Sequence, residues 1–377
     1  MKYRTMGKLG IQTSAFGLGC MRFNGAASGD STIDEQKAIS LIRRAIDGGV
    51  TYLDTAYVYL GKTSEIVLGK ALKDGYREKV TIATKMPAEA VHDRASMEAL
   101  LEEELKKLQT DHIDFYLMHG INKEKWEYFK SIGAPEFFND MKKAGKIRFK
   151  CFSFHGPYDE FEYILRDWDW DLVQIQYNFM DVDNQAGTKG LELAGSLGIP
   201  VTIMEGLLGG RMAKAPSNVQ ALYDAFPVRR SPVEWAFRWL CNHPAVTVVL
   251  SGCNEAEQID ENLRIFDTVE AGIMPPEELK LMDDVRAAYI SRTKIGCTGC
   301  RYCMPCPNGV NIPGLFSSWN NVSLYDTDPK WDWGLRQIRE KDEGPDHCIG
   351  CGACEAACPQ HLNIIESLQT AWSQLNG

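Results

Sequence analysis

Between residues 14 and 267 the chain alternates short, almost unbroken apolar runs with amphipathic stretches. The runs are SAFGLGC (14–20), TYLDTA (51–56), VTIATK (80–85), IDFYLMH (113–119), IRFKCFSF (147–154), LVQIQYN (172–178), PVTIMEG (200–206) and VTVVLSG (246–252). Each is followed by a helical pattern: 34–46, SEIVLGKALK, RASMEALLEEELKKL, 136–144, YDEFEYILRD, TKGLELAGSLG, SPVEWAFRWLCN and AEQIDENLRIF. Runs that stay apolar at consecutive positions suit strands buried on both faces, as in parallel sheets covered by helices. Eight strand–helix units in about 250 residues predict a (β/α)8 TIM barrel. The rival is a doubly wound sheet, which lacks its dinucleotide fingerprint here, because GLGCM does not keep the G-x-G-x-x-G spacing.

KYRTMGKLGIQT, with Gly7 and Gly10 between short runs, reads as a hairpin closing one barrel end. PPEELKLMDDVRAAYI adds a helix that starts at proline. The barrel is expected to occupy 1–290 and a small second domain 291–377. Residues 120–135 and 207–231 read as loops after the fourth and seventh strands. Trp126 and Tyr128 in the first are candidates for an aromatic wall or for plain loop packing.

Charge narrows the partners. A net charge of −10 over 377 residues speaks against nucleic acid. MKYRTMGKLG has no apolar signal core, and no stretch nears the roughly 20 apolar residues of a membrane span. The expectation is a soluble cytoplasmic protein with a small-molecule substrate.

Polar residues interrupt three consecutive strand ends: Asp54 with Tyr59 after the second, Lys85 in the third, His119 in the fourth. Each alone has a structural reading, as a helix cap, a surface charge or a core histidine. Together, at the end of the barrel where chemistry is done, they form a coherent set. A free phenol has a pKa of about 10, and an adjacent ammonium is expected to lower it. Tyr59 would then donate a proton to a carbonyl oxygen, Lys85 would depress its pKa, Asp54 would orient Lys85, and His119 would position the carbonyl.

YLDTAYVY, IATK and YLMH resemble the Asp, Tyr, Lys and His segments of the aldo-keto reductases, in order and over residues 1 to 290. The resemblance implies a nicotinamide cofactor across the barrel top and interconversion of a carbonyl and an alcohol. It also implies that Ser153 and Gln176 hold the carboxamide, that Glu261 and Asn262 lie near the adenine, and that Ser251, Gly252 and Gln258 join them. Three positions depart from the family. Phe154 and His155 follow the serine where asparagine is common, Met204 stands where an aromatic residue stacks on the nicotinamide, and 251–262 holds four acids and no Lys or Arg. NAD(H) is therefore favoured over NADP(H), with Arg264 just beyond. In LLGGRM, Gly209 and Gly210 would admit a phosphate and Arg211 or Arg229 would neutralise it; the alternative is an exposed lid.

Twelve cysteines divide unevenly. Cys20, Cys151, Cys241 and Cys253 are scattered and read as buried small hydrophobes. Cys297, Cys300, Cys303 and Cys306 precede Pro307, and Cys348, Cys351, Cys354 and Cys358 precede Pro359. The second run is C-x2-C-x2-C-x3-C-P, the spacing of two-cluster ferredoxins, in which the fourth cysteine serves the other cluster. That rule assigns Cys297, Cys300, Cys303 and Cys358 to one [4Fe–4S] cluster, and Cys348, Cys351, Cys354 and Cys306 to a second. Zinc and disulfides are the weaker readings. A hydride carries two electrons and each cluster takes one, so a flavin normally stands between them. The expectation is an aldo-keto reductase-like oxidoreductase whose clusters exchange electrons with a ferredoxin, flavodoxin or other redox protein, with NAD(H) in the barrel and FMN in place of the nicotinamide cofactor as the option that would split the electron pair. The alternatives are an ordinary NAD(H)-dependent carbonyl reductase with structural clusters, and an electron-transfer module without barrel turnover.

Overall fold

The computed structural model describes residues 1–23 and 33–376. By compactness it divides into two units, 1–209 with 233–279, and 210–232 with 280–377.

A hairpin of β1 (Tyr3–Thr5) and β2 (Gln12–Ser14) precedes the parallel strands. These are β3 (Phe16–Gly19), β4 (Tyr52–Asp54), β5 (Thr81–Pro87), β6 (Ile113–Ile121), β7 (Ile147–Phe154), β8 (Leu172–Gln176), β9 (Val201–Met204) and β10 (Val246–Ser251). Among the described residues they close in sequence order, with β10 pairing both β9 and β3. The (β/α)8 barrel is thus confirmed. Gly19 pairs with Asp54, Asp54 with Ala83, and Pro87 with His119, so the polar strand ends sit at neighbouring levels of one barrel end.

The barrel's helices are α1 (Glu35–Asp47), α2 (Ser64–Ala71), α3 (Arg94–Leu108), α4 (Lys123–Ser131), α5 (Ala134–Lys143), α6 (Tyr158–Asp167) and α7 (Gly187–Ser196). Polar residues start several of them. Asp93 accepts from Ser96 N at 2.8 Å ahead of α3, and Asn122 from Lys125 N at 2.9 Å ahead of α4. Helix α4 replaces part of the expected loop 120–135. It buries Trp126 and Phe129, and the Trp126 indole donates to Asp167 at 2.8 Å, so Trp126 packs the barrel exterior instead of walling the mouth.

Helix α8 (Ser217–Ala225) lies in the expected loop 207–231 and folds with the second unit. Next come α9 (Pro232–Asn242), α10 (Ala256–Phe266) and α11 (Pro276–Ile290). Among the described residues, no helix is long and apolar enough to cross a membrane.

At the closed end the barrel is filled by Tyr52, Ala83, Phe115, Leu117, Cys151, Leu172 and Val248, with Met6 inserted from the hairpin turn. The hairpin thus plugs the barrel opposite its polar mouth. All four scattered cysteines are buried.

The second unit has its own core around α12 (Ile312–Tyr325), α13 (Trp333–Glu340) and α15 (Ile364–Asn376), with a single turn α14 (Ala353–Ala356) between. Phe316, Trp319, Leu335, Ile338, Ile364 and Leu368 pack there. Buried Asp332 ties the packing together: it accepts from Leu335 N at 2.8 Å at the start of α13 and from Ser318 Oγ at 2.7 Å.

Phe115 sits between Tyr52, at 5.3 Å between ring centres, and Phe149, at 5.0 Å. Phe115→Ala should therefore cost about 3–5 kcal/mol of barrel stability, measured by urea unfolding. A loss under about 1 kcal/mol would refute the filled interior.

Candidate functional site

The Lys85 ammonium is buried inside the barrel, 1% exposed, and all of its bonding capacity is used. It donates to Asp54 Oδ1 at 2.6 Å, to the Thr55 carbonyl at 2.7 Å and to the Tyr59 hydroxyl at 3.2 Å. Asp54 ends β4 and Lys85 lies within β5, while Tyr59 follows β4 on a short turn. Leu60, Gly61 and Lys62 behind Tyr59 are left-handed, so the chain turns sharply as it leaves the phenol. His119 meets the Tyr59 ring edge-on, 6.0 Å between centres. The four residues named from sequence are brought together.

Two features differ from the sequence reading. Sequence analysis missed Gln174, a buried amide on β8 that donates to Asp54 Oδ2 at 2.9 Å and so holds the second carboxylate oxygen from the opposite side of the barrel. The expected depression of the Tyr59 pKa is also corrected. Burial of the phenol pushes it up, Lys85 pulls it down, Asp54 pushes it up again, and the balance is a raised pKa. Tyr59 therefore holds its proton at neutral pH. Burial opposes the Lys85 charge, but Asp54 and Tyr59 together outweigh it and raise its pKa. Burial lifts Asp54 above the usual carboxylate range, against the pull of Lys85 and Gln174. His119 is lowered to about 3, by burial first and then by Lys85, Lys125 and His155, so it is neutral at physiological pH.

The residues expected around a cofactor are arranged less uniformly. Ser153 Oγ accepts from Gly120 N at 2.8 Å, fixing the turn after His119. The Gln176 amide donates to Asp181 at 2.6 Å, and Met204 beside it on β9 is half-buried. Asn262 is buried and donates to Ser251 Oγ at 3.1 Å and Cys253 Sγ at 3.2 Å, which ties the end of β10 to α10. Gln258 Oε1 accepts from Asn254 N at 2.9 Å, making it a cap of α10, while Glu261 is half-buried on the same helix and Gly252 is exposed. Phe154 is buried against Phe161, and His155 is exposed, with Nδ1 3.1 Å from Gln185 Oε1.

Gly209 closes the first unit, whereas Gly210 and Arg211 belong to the second, where Arg211 lies 4.0 Å from Asp332. Arg229 pairs with Asp224 at 3.8 Å, and Arg264 with Glu234 at 3.1 Å.

In the second unit the cysteines ring two cavities. Cys297, Cys300, Cys303 and Cys358 line one. Cys306, Cys348, Cys351 and Cys354 line the other, which Cys303 also borders. Each four-cysteine run therefore contributes its last cysteine to the cavity formed by the other run. The Cys303 thiol is pushed up by burial and by Cys297, Cys300 and Cys358 around it, which places Cys358 with the first run. Among the described residues no three His, Cys, Asp or Glu side chains gather on one point, as a single bare ion needs. Thiols spaced around a cavity fit the corners of a cubic cluster, and the donor set fits two [4Fe–4S] groups.

The family model for the aldo/keto reductases matches residues 15–285, and that for a 4Fe-4S dicluster domain matches 296–364. Among curated proteins, the uncharacterized oxidoreductase YrpG of Bacillus subtilis is 27% identical over 331 residues, covering 76% of this chain and 96% of that one. Probable aldo-keto reductase 1 of Glycine max is 26% identical, covering 68% and 82%. Among solved structures, the holo form of aldo-keto reductase AKR11C1 from Bacillus halodurans matches with a TM-score of 0.63 at 24% identity, covering 76% and 96%. An aldo/keto reductase of Klebsiella pneumoniae in complex with NADP and acetate matches at 0.60 and 22%, with the same coverage. These two structures speak for the fold. The barrel with its matched family model makes this chain a member of the aldo/keto reductase family, an oxidoreductase carrying a 4Fe-4S dicluster domain C-terminal to the barrel in sequence.

Proposed function

We propose that the chain interconverts a small carbonyl compound and its alcohol at the barrel mouth, and that its two [4Fe–4S] clusters exchange electrons with a separate redox protein such as a ferredoxin or flavodoxin. The observation that carries the first half is the fully bonded Lys85 ammonium between Asp54 and Tyr59. Tyr59 holds a proton at neutral pH and gives it to the carbonyl oxygen. Lys85 stabilises the phenolate left behind, so its charge acts where charge develops. Asp54 keeps Lys85 oriented and charged, and neutral His119 hydrogen-bonds the substrate oxygen. The bound cofactor supplies or removes the hydride.

A nicotinamide cofactor is supported by the family and by the NADP complex of the Klebsiella relative. NAD(H) is favoured over NADP(H) because Arg264, the nearest cation beyond 251–262, is paired with Glu234. FMN in its place would match the one-electron chemistry of the clusters. In this reading 1–290 works as the catalytic barrel and 291–377 as the iron–sulfur domain of a cytoplasmic enzyme. A second reading, an NAD(H)-dependent reductase with structural clusters, draws on six of the eight cluster cysteines packing against the second unit's core.

The deciding experiment is an inventory of anaerobically purified protein. Eight irons with matching sulfide and one flavin are expected for the electron-exchanging enzyme. Eight irons without flavin would favour the structural reading, and far fewer irons would sink both.

Tyr59→Phe should lower kcat by about 10²–10⁴-fold while iron content and folding stay unchanged. Full turnover by this variant would rule Tyr59 out as the proton donor.

His119 yields a pH prediction. Its folded pKa, about 3, lies below the ordinary 6.5, so the unfolded chain binds more protons between those values. Its contribution to stability is complete above about 6.5 and is lost as pH falls toward 3. His119→Gln should flatten the fall of the unfolding midpoint across that window, and identical slopes for both proteins would contradict the neutral, buried imidazole.

A further inference from the structure

The two cysteine runs build one turn twice. With Cys297 set against Cys348, Cys300 against Cys351 and Cys303 against Cys354, a left-handed glycine precedes the second cysteine in each, Gly299 at φ +70° and Gly350 at +69°. The residue after the second cysteine is left-handed too: φ is +76° at Gly352 and +65° at Arg301. Glycine adopts that conformation freely, whereas any other residue is strained in it. The second run has the residue that the turn favours, and the first has an arginine in its place. Backbone geometry therefore gives no reason for the arginine.

Arg301 lines the cavity ringed by Cys297, Cys300, Cys303 and Cys358. Among the described residues, no other Lys, Arg, Asp or Glu lines it. The cavity ringed by Cys306, Cys348, Cys351 and Cys354 has Gly352 at the equivalent place and no Lys, Arg, Asp or Glu in its lining. A charge of the opposite sign is held beside that second cavity. Glu355 follows Cys354, and its Oε1 accepts at 2.9 Å from the N–H of Ile365, a lining residue. The Arg301 side chain is exposed, and among the described residues it makes no hydrogen bond or ion pair.

Reducing a [4Fe–4S] cluster adds one negative charge to it. A cation nearby favours the reduced form and an anion the oxidised form, and net charge is one of the factors that set cluster potentials. A guanidinium keeps its charge at any pH the protein meets. Solvent screens an exposed charge but does not change its sign.

We infer that Arg301 raises the reduction potential of the cluster held by Cys297, Cys300, Cys303 and Cys358 above that of the other, so that an electron taken up by the domain settles on the first cluster. The inference rests on the electron-exchanging reading above and deepens it by giving the two clusters different roles. In each step a reduced carrier such as a flavodoxin loses one electron, one cluster gains it, and no bond is made or broken.

The test is EPR of the cluster-loaded full chain, poised anaerobically at a series of potentials with dithionite and mediators, with iron content checked for every variant. The wild type should be reduced in two steps. At a given potential the reduced-to-oxidised ratios of the two clusters should differ by about tenfold or more, which is about 59 mV for one electron. Arg301→Gln should lower the upper step and leave the lower one in place, and Arg301→Gly, the residue of the second run, should do the same. Arg301→Lys keeps the charge and should keep the upper step. Gly352→Arg, at a position where an added Cβ meets nothing within 4 Å, should raise the lower step. A single step in the wild type would overturn the inference and leave electron exchange standing. So would an upper step that ignores both Arg301→Gln and Arg301→Gly, or a fall of both steps alike. Wild-type clusters that take no electron from dithionite or from reduced flavodoxin would overturn electron exchange, and this inference with it.

Discussion

A lysine charge inside an apolar barrel is the constraint on which the site depends. Taking an ammonium out of water costs several kcal/mol unless its protons are met by well-placed acceptors. Lys85 meets this demand with a carboxylate, a backbone carbonyl and a phenol drawn from residues 54, 55 and 59. The carboxylate has its own requirement in the same surroundings, and the Gln174 amide answers it from β8. Barrel closure is what brings residues 54, 85 and 174 within bonding distance. The arrangement that permits the buried charge is therefore the same one that sets the Tyr59 hydroxyl beside the ammonium, and the fold and the proposed chemistry share one set of contacts.

Much of this was legible in the chain. Parallel strands covered by helices must be apolar at consecutive positions, so the runs around Ile82, Phe115 and Val173 declared themselves. Asp54, Lys85 and His119 stood out because they break such runs. Gln174 did not, since a neutral amide in an apolar run carries no signal and its partner is 120 residues away. Helix α4 was missed for a related reason: it is short, and Trp126 and Phe129 are its buried residues. The direction of the Tyr59 shift failed differently. Spacing shows that an ammonium is near the phenol, but it says nothing of how much water is left there, and loss of water outweighed the cation.

The iron–sulfur part was legible through covalent spacing, which needs no tertiary knowledge. Cysteines separated by two residues can ring a cube wherever the chain goes, and the fourth thiol of each run lines the other cavity. What spacing could not show was the role of the insert between the runs. Residues 312–340 form α12 and α13, whose Phe316, Trp319, Leu335 and Ile338 build the core of the unit. Arg211 shows the same limit. Beside a glycine pair it reads as a phosphate ligand, and only the folded unit sets it near Asp332.

The remaining tension lies between electron pairs and single electrons. In the proposed mechanism Tyr59 and Lys85 would manage a proton and a developing charge, which suits hydride chemistry moving two electrons together. The cavities ringed by cysteine suit centres that move one. A purely structural cluster would be best served by complete burial, which protects it from water and oxidants. Here most ligands are half-buried, yet Cys300 on one cavity and Cys351 on the other are exposed, and Ile349 beside Cys351 is 73% exposed. Each cavity therefore presents an edge to solvent, at a cost in protection that stability alone does not explain. Solvent-facing edges shorten the distance to a carrier in solution, and this weighs the electron-exchanging reading above the structural one.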